Sequence, residues 1–399
     1  MLKRVRDAHL AHAKCAVRND DRNHSKNRRN AMTVTRQLHD LGQSIWLDNI
    51  TRGILDDGTL ERYIRQWGVT GLTSNPTIFD HAFKSGDAYD AAIRRESAAG
   101  KSGEALFFDL AIEDLQRAAD LFRLVHDRTK GVDGWVSLEV SPLLAYDTAG
   151  TIDAAAELHG RAHRPNLFIK IPGTAEGAAA IEASIFAGVP VNVTLLFSAA
   201  QYQAAADAYM RGIERRIADG RNPRIGSVAS IFVSRWDVAV KDTVPAALRN
   251  RLGIAIAKRT YRAYRAVLAS PRWRALEAAG AQPQRLLWAS TSTKDPTAPD
   301  TLYVEALAAP DTINTVPEKT LAAFADHGSL SGALPVDGGD AEDVLAEFTR
   351  AGVNDATLAA QLQREGADSF DASWKDLLGC LATKRASLTQ PDHASKRAS

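Results

Sequence analysis

The stretch Leu167-Phe168-Ile169-Lys170-Ile171-Pro172 is followed by a helical pattern over residues 175–187 and then by the apolar run Val189-Pro190-Val191-Asn192-Val193-Thr194-Leu195. Each run has the length and composition of a buried strand. The segment between them is long enough for the crossover helix that two parallel strands require. The same unit repeats outward in both directions.

Strand-like runs occupy residues 45–50, 69–75, 135–140, 167–171, 189–195, 227–233, 286–291 and 312–316. Helical patterns separate them at 103–128 (after Ser102), 151–163, 175–187, 199–219, 244–267 and 300–307. The tract 85–133 is long for one crossover and is expected to hold two helices. Eight such runs joined by helices predict an α/β chain folded as a single (β/α)8 TIM barrel. An open doubly wound sheet would be expected to carry a glycine-rich phosphate loop after an early strand, and here Asn49-Ile50-Thr51-Arg52 follows the first run. Beyond Pro317 the segments 321–327, 341–351, 355–366 and 370–385 are expected as closing helices.

Lys170 is the anomaly within its run. A buried ammonium needs a partner or a task, because desolvation disfavours the charged form. A lysine held partly neutral is a nucleophile able to form a Schiff base with a carbonyl. An edge strand with its lysine in solvent is the alternative, and the other strands argue against it. Alternation groups Trp46 with Asp48, Thr73 with Asn75, Ser137 with Glu139, Phe168 with Lys170, Asn192 with Thr194, Ser230 with Phe232 and Trp288 with Ser290. In a barrel the fully apolar set packs on the helices and the mixed set faces inward. Polar groups are thus expected inside, near the C-terminal ends of at least six strands, where barrel enzymes carry their chemistry. One such residue is easily structural, as Asn75 before Pro76 would be as a turn or cap. Six together are difficult to explain that way, since each buried polar group needs a partner.

Composition narrows the classes. The 399 residues are 45% hydrophobic and 24% charged, and the net charge of +1 argues against a dedicated nucleic-acid surface. Two cysteines, Cys15 and Cys380, give neither a disulfide framework nor metal-ligand spacing, so a reducing, cytoplasmic setting is expected. No apolar stretch reaches the roughly 18 residues of a membrane span, and no signal-peptide core is present. Residues 1–31 carry nine lysines and arginines against three aspartates, a net +6 that leaves −5 for the remainder. This segment reads as a leader upstream of Met32, against the alternatives of a basic arm or a targeting peptide. The expected division is a basic, disordered leader over 1–37, the barrel over 38–386 and a polar tail over 387–399.

There is no His/Cys cluster, no HExxH and no G-x-S-x-G elbow, so no metal is expected. What remains suits imine chemistry on a hydroxylated carbonyl compound: carboxylates to move protons, amides to hold hydroxyls and a cationic end for phosphate. Arg235, Ser290 and Lys294 are the candidates for that end.

At these residues the chain resembles the transaldolase family, most closely its longer bacterial branch. The resemblance lies in Gly71-Leu72-Thr73-Ser74-Asn75-Pro76-Thr77-Ile78-Phe79, and in Phe168-Ile169-Lys170-Ile171-Pro172-Gly173-Thr174-Ala175-Glu176-Gly177 continuing to Val191-Asn192-Val193-Thr194-Leu195-Leu196-Phe197-Ser198. It implies a class I aldolase-like barrel acting in the non-oxidative pentose phosphate pathway. A dihydroxyacetone unit would pass from sedoheptulose 7-phosphate or fructose 6-phosphate to glyceraldehyde 3-phosphate or erythrose 4-phosphate. By the same resemblance Lys170 would form the imine and Asp48 would take the C4 hydroxyl proton. Glu139 and Thr194 would hold a water for imine formation and hydrolysis. Asn75, Asn192 and Ser230 would contact the held unit, with Phe232 shaping the pocket and Arg235, Ser290 and Lys294 on the phosphate. No cofactor beyond the covalent imine is implied. The partners would be sugar phosphates rather than nucleic acid or membrane, with the chain a monomer or homodimer. One departure stands out: many members carry an arginine two residues after the strand-seven serine, where this chain has Ser292. A fructose-6-phosphate aldolase is the nearest rival; in such relatives the carboxylate at the Glu139 position tends to be absent and the chain is shorter.

Overall fold

The computed structural model describes residues 33–84 and 86–389. Eight parallel strands close into a barrel in sequence order. They are β1 Gln43–Asp48, β2 Val69–Thr73, β3 Trp135–Glu139, β4 Leu167–Pro172, β5 Val191–Leu196, β6 Ser227–Phe232, β7 Arg285–Ala289 and β8 Thr312–Val316. Closure is made by β1 on β8, from Gln43 opposite Thr312 to Leu47 opposite Val316. The tract before β3 holds the two expected helices, Asp90–Ala98 and Gly103–Arg128. No helix among the described residues is long and apolar enough to cross a membrane.

Alternation along the strands sorts the core into two. Ile45, Leu47, Leu138, Ile169, Ile171, Val191, Val193 and Ile231 pack outward on the helices. Trp46, Trp135, Phe168, Val228, Leu287 and Ile313 fill the barrel. Trp135 stacks on Phe168 with ring centroids 4.0 Å apart, and Trp46 lies 6.2 Å from Phe168 on the other side. Beneath them Trp46 Nε1 donates to Asp133 (2.7 Å), and Arg285 donates to Ser44 Oγ and Thr312 O (both 2.8 Å). This plug is the floor of the site, and polar satisfaction of its buried groups keeps it from costing stability. Gly71 is part of it, because a Cβ there would lie 2.7 Å from the Trp46 ring.

Several expectations need correction. In β7 the inward residues are Leu287 and Ala289, while Trp288 points outward and donates to Leu307 O at 3.0 Å. Ser290 does not share its face by alternation; its φ of 55° breaks the period and turns it toward the barrel mouth. A similar break, a bulge with Leu195 at φ 59°, ends the alternation of β5. The helix expected over 244–267 starts only at Leu252, after a 3-10 turn at Ala246–Leu248. Its first amides, Leu252 N–H and Gly253 N–H, are capped by the Asp237 carboxylate at 2.9 and 3.2 Å.

The last correction concerns the C-terminal segments. The two helices expected over 355–366 and 370–385 are one helix, Asp355–Thr389. Gly366 is not a cap: a Cβ there would meet Leu195 at 2.9 Å and Arg235 at 3.1 Å, so it allows the helix to lie close over the barrel. At the other end, the helix Val34–Leu41 crosses the boundary drawn at residue 37, with Thr33 Oγ1 accepting the Arg36 N–H. Residues 1–32 and 390–399, the bulk of the segments expected as leader and tail, lie outside the described residues.

Candidate active site

β4 turns Ile169 and Ile171 outward and so aims Lys170 into the barrel, 6% exposed. Its Nζ donates to Ser74 O at 2.9 Å and to Glu139 Oε2 at 3.0 Å. Burial is therefore offset by a carboxylate partner rather than left bare. Register explains the pairing: Glu139 of β3 lies directly opposite Lys170, and Asn192 of β5 lies on its other side.

Asp48 ends β1, opposite Thr73, whose Oγ1 lies 2.7 Å from both Asp48 Oδ1 and Thr315 Oγ1. Burial raises the Asp48 carboxyl above the ordinary aspartate range, against the Thr73 bond and the charges of Lys170 and Lys294. Burial likewise raises Glu139, opposed by Lys170 and assisted by the charge of Asp48. A chain of polar side chains runs on around the barrel. Ser230 Oγ donates to Asn192 Oδ1 (2.7 Å), and Asn192 Nδ2 donates to Ser137 Oγ (3.1 Å). Two buried oxygens, Glu139 Oε1 and Thr194 Oγ1, accept nothing from the protein. Asn75 does cap the helix Pro76–Lys84, its Oδ1 accepting Ile78 N–H at 3.1 Å, which leaves Nδ2 to donate elsewhere.

These residues surround a cavity of about 550 Å³ at the C-terminal ends of the strands, lined by Asp48, Asn75, Lys170, Thr194, Ser230 and Phe232, with Arg235, Ser290 and Lys294 toward one end. Among the described residues Arg235 has no carboxylate within ion-pair distance; its guanidinium lies over Phe232 (5.2 Å) and Phe370 (5.8 Å). Burial pushes it below the usual arginine range, with only Glu365 opposing. Ser290 Oγ is 2.9 Å from Ser234 Oγ, and Lys294 Nζ donates to Ser292 Oγ at 2.6 Å. Those three residues also line an adjoining cavity of about 760 Å³ that runs toward Lys241 and Arg249. Of the eleven candidate residues singled out in the sequence, nine line the main cavity, and Asn192 bonds the lining residue Ser230. Glu139 stands just behind the cavity, reached through Lys170.

Sequence reasoning missed Thr77, Ile78, His81, Thr315 and Phe370. The first three follow the Asn75-Pro76 turn at helical spacing and were legible in principle. Phe370 carried no signal, being 200 residues after Lys170 in a helix with no polar pattern facing the barrel. Among the described residues no group of three or more His, Cys, Asp or Glu could hold a metal ion.

A family model described as Transaldolase/Fructose-6-phosphate aldolase matches residues 45–381. The chain belongs to this family. It is 46% identical over 356 residues to a transaldolase of Arthrobacter sp. (strain FB24), covering 87% of this chain and 96% of that one. A transaldolase of Thiobacillus denitrificans is 46% identical (87% and 99% covered), and one of Neisseria gonorrhoeae is 42% identical (88% and 100% covered). It is thus an enzyme of the transaldolase type, a transferase.

Proposed function

We propose that the chain transfers a dihydroxyacetone unit between sugar phosphates of the pentose phosphate pathway through an imine on Lys170. The observation that carries this is Lys170 Nζ, buried and bonded to Glu139 at 3.0 Å, on the same cavity wall system as Asp48. Glu139, raised and adjacent, takes a proton from Lys170, freeing the amine to attack the C2 carbonyl of fructose 6-phosphate or sedoheptulose 7-phosphate. A water held between the two unpartnered oxygens, Glu139 Oε1 and Thr194 Oγ1, serves carbinolamine dehydration and the reverse hydrolysis. Asp48 then takes the C4 hydroxyl proton, the C3–C4 bond breaks, and its electron pair moves into the imine as the aldehyde product leaves. The held unit adds to glyceraldehyde 3-phosphate or erythrose 4-phosphate by the reverse steps.

Asn75, Asn192 and Ser230 bind hydroxyls of the held unit and Phe232 bounds it. Arg235, Ser290 and Lys294 bind the phosphate, with Lys294 acting as a point charge where relatives use the arginine fork. The unpaired guanidinium of Arg235 supports this end, since an uncompensated buried cation is favourable only with an anion to meet it. No cofactor takes part, and a cytoplasmic setting follows from the substrates. Glu139 favours transfer over simple aldol cleavage.

The test is glyceraldehyde 3-phosphate release from fructose 6-phosphate with and without erythrose 4-phosphate, together with borohydride trapping. Acceptor-dependent release is expected; fast release without acceptor would make the enzyme an aldolase. Lys170→Ala should abolish the trapped adduct, and Asp48→Ala should trap but not cleave. An adduct persisting on Lys170→Ala would refute the nucleophile.

A further inference from the structure

The C-terminal helix Asp355–Thr389 is built into the rim of the active-site cavity rather than resting on it. Gln363 Nε2 donates to both Gly173 O and Leu195 O at 2.9 Å, tying it to the loop after β4 and to the end of β5. Three turns on, Trp374 Nε1 donates to Glu104 Oε1 (2.9 Å), which also accepts from Ser141 Oγ after β3 (3.0 Å). Ser373 Oγ lies 3.1 Å from Thr77 Oγ1, on the helix after β2. Between these fixed points the helix presents one residue to the cavity, Phe370. Its ring centroid is 5.9 Å from Lys170 Nζ and 5.8 Å from the Arg235 guanidinium, and it meets Phe232 edge-on at 6.5 Å. A large apolar ring, 8% exposed, therefore stands between solvent and both ends of the substrate path.

We propose that Phe370 is a specificity-determining residue that keeps solvent from the three-carbon unit on Lys170 and so favours transfer to a sugar over loss as free dihydroxyacetone. The inference rests on the lysine imine proposed above. After C3–C4 cleavage the electron pair of the broken bond is held in an enamine on Lys170. In transfer, C3 attacks the acceptor aldehyde carbon, and the aldehyde oxygen takes the proton that Asp48 removed from the donor. In loss, C3 takes a proton from solvent, water adds to the imine carbon and the lysine amine departs. Both routes begin from the same intermediate, so exclusion of water from C3 decides between them. Phe370 is flanked by anchors at four places: the loop after β4, the end of β5, and the first turns of the helices Pro76–Lys84 and Gly103–Arg128.

The measurement is free dihydroxyacetone formed from fructose 6-phosphate, divided by transfer to erythrose 4-phosphate, for the full chain and for Phe370→Ala and Phe370→Leu. Trapped borohydride adduct is quantified in parallel. Phe370→Ala should raise the ratio about tenfold or more while the adduct still forms, and Phe370→Leu, which restores most of the bulk, should return it to within about threefold of the parent. An unchanged ratio in Phe370→Ala with adduct intact would overturn the inference and leave the imine standing. Absence of adduct in the parent chain would overturn both. Should the alanine variant not fold, Phe370→Leu and Phe370→Val carry the test, and a ratio that stays flat as the side chain shrinks refutes it.

Discussion

Replacing Glu139 by glutamine removes one charge and one proton acceptor while keeping shape. In the parent, Lys170 Nζ has two oxygens within 3.0 Å, Ser74 O and Glu139 Oε2, and only the second is charged. A unit pair at that distance is worth roughly 5 kcal/mol gross at an effective dielectric constant of about 20. Desolvation of both ions cancels much of it, so the loss of stability should be about 1–3 kcal/mol, visible as a lower urea midpoint. Activity should fall further, by about 10²–10⁴ in kcat/KM, because the amine loses the group that takes its proton. The pH profile separates the two effects. Glu139 is raised by burial and is proposed to act as the base, so parent activity is expected to decline as pH falls through a value above the ordinary glutamate range. Glu139→Gln should lose that contribution and retain only the limb belonging to Asp48, which is raised as well. Steady-state kinetics from pH 4.5 to 8 with fructose 6-phosphate and erythrose 4-phosphate would read it. A variant with parent kcat/KM and an unshifted acid limb would refute the assignment of Glu139 as the proton acceptor of Lys170.

Three further outcomes are expected. Arg235→Ala should raise KM for phosphorylated donors about 10- to 100-fold with a smaller change for unphosphorylated fructose, because a charge-assisted contact is lost only where phosphate exists; equal effects on both would place phosphate elsewhere. Gly71→Ala should destabilise by about 1–3 kcal/mol in chemical denaturation, since its Cβ would overlap the Trp46 ring at 2.7 Å within a packed floor. Asp237 is pushed up to about 6 by burial, so the folded state holds its proton more tightly than the unfolded chain does. Stability from this group is greatest below its unfolded value near 4 and declines as pH rises toward 6, by on the order of 2–3 kcal/mol. Asp237→Asn should flatten that slope in urea midpoints measured between pH 4 and 7, and an unchanged slope would count against the shift.

Much of the site was readable before the fold was known. Lys170 announced itself as a charge in an apolar run, and period-two alternation assigned Asp48, Glu139, Asn192, Thr194 and Ser230 to one interior. The pairing of Trp288 with Ser290 failed, because Trp288 points outward within the regular strand while a positive φ at Ser290 itself resets which way that side chain points. Gly366 misled for a related reason: a glycine reads as a helix end, yet here it answers a close approach by Leu195 and Arg235 that no local pattern encodes.

By itself the sequence determined the alternation of strands and helices, the barrel that follows from it, and the inward direction of the lysine. These depend on periodicities within a few residues, where backbone geometry dictates side-chain direction. Tertiary structure alone decided that Glu139, Ser74 and Lys170 converge within 3.0 Å, that Arg235 goes unpaired between two rings, and that Phe370 roofs the site. Each of those contacts joins segments from separate strands, loops or the last helix. Their distance is set by barrel closure and helix packing, which no short window of residues contains.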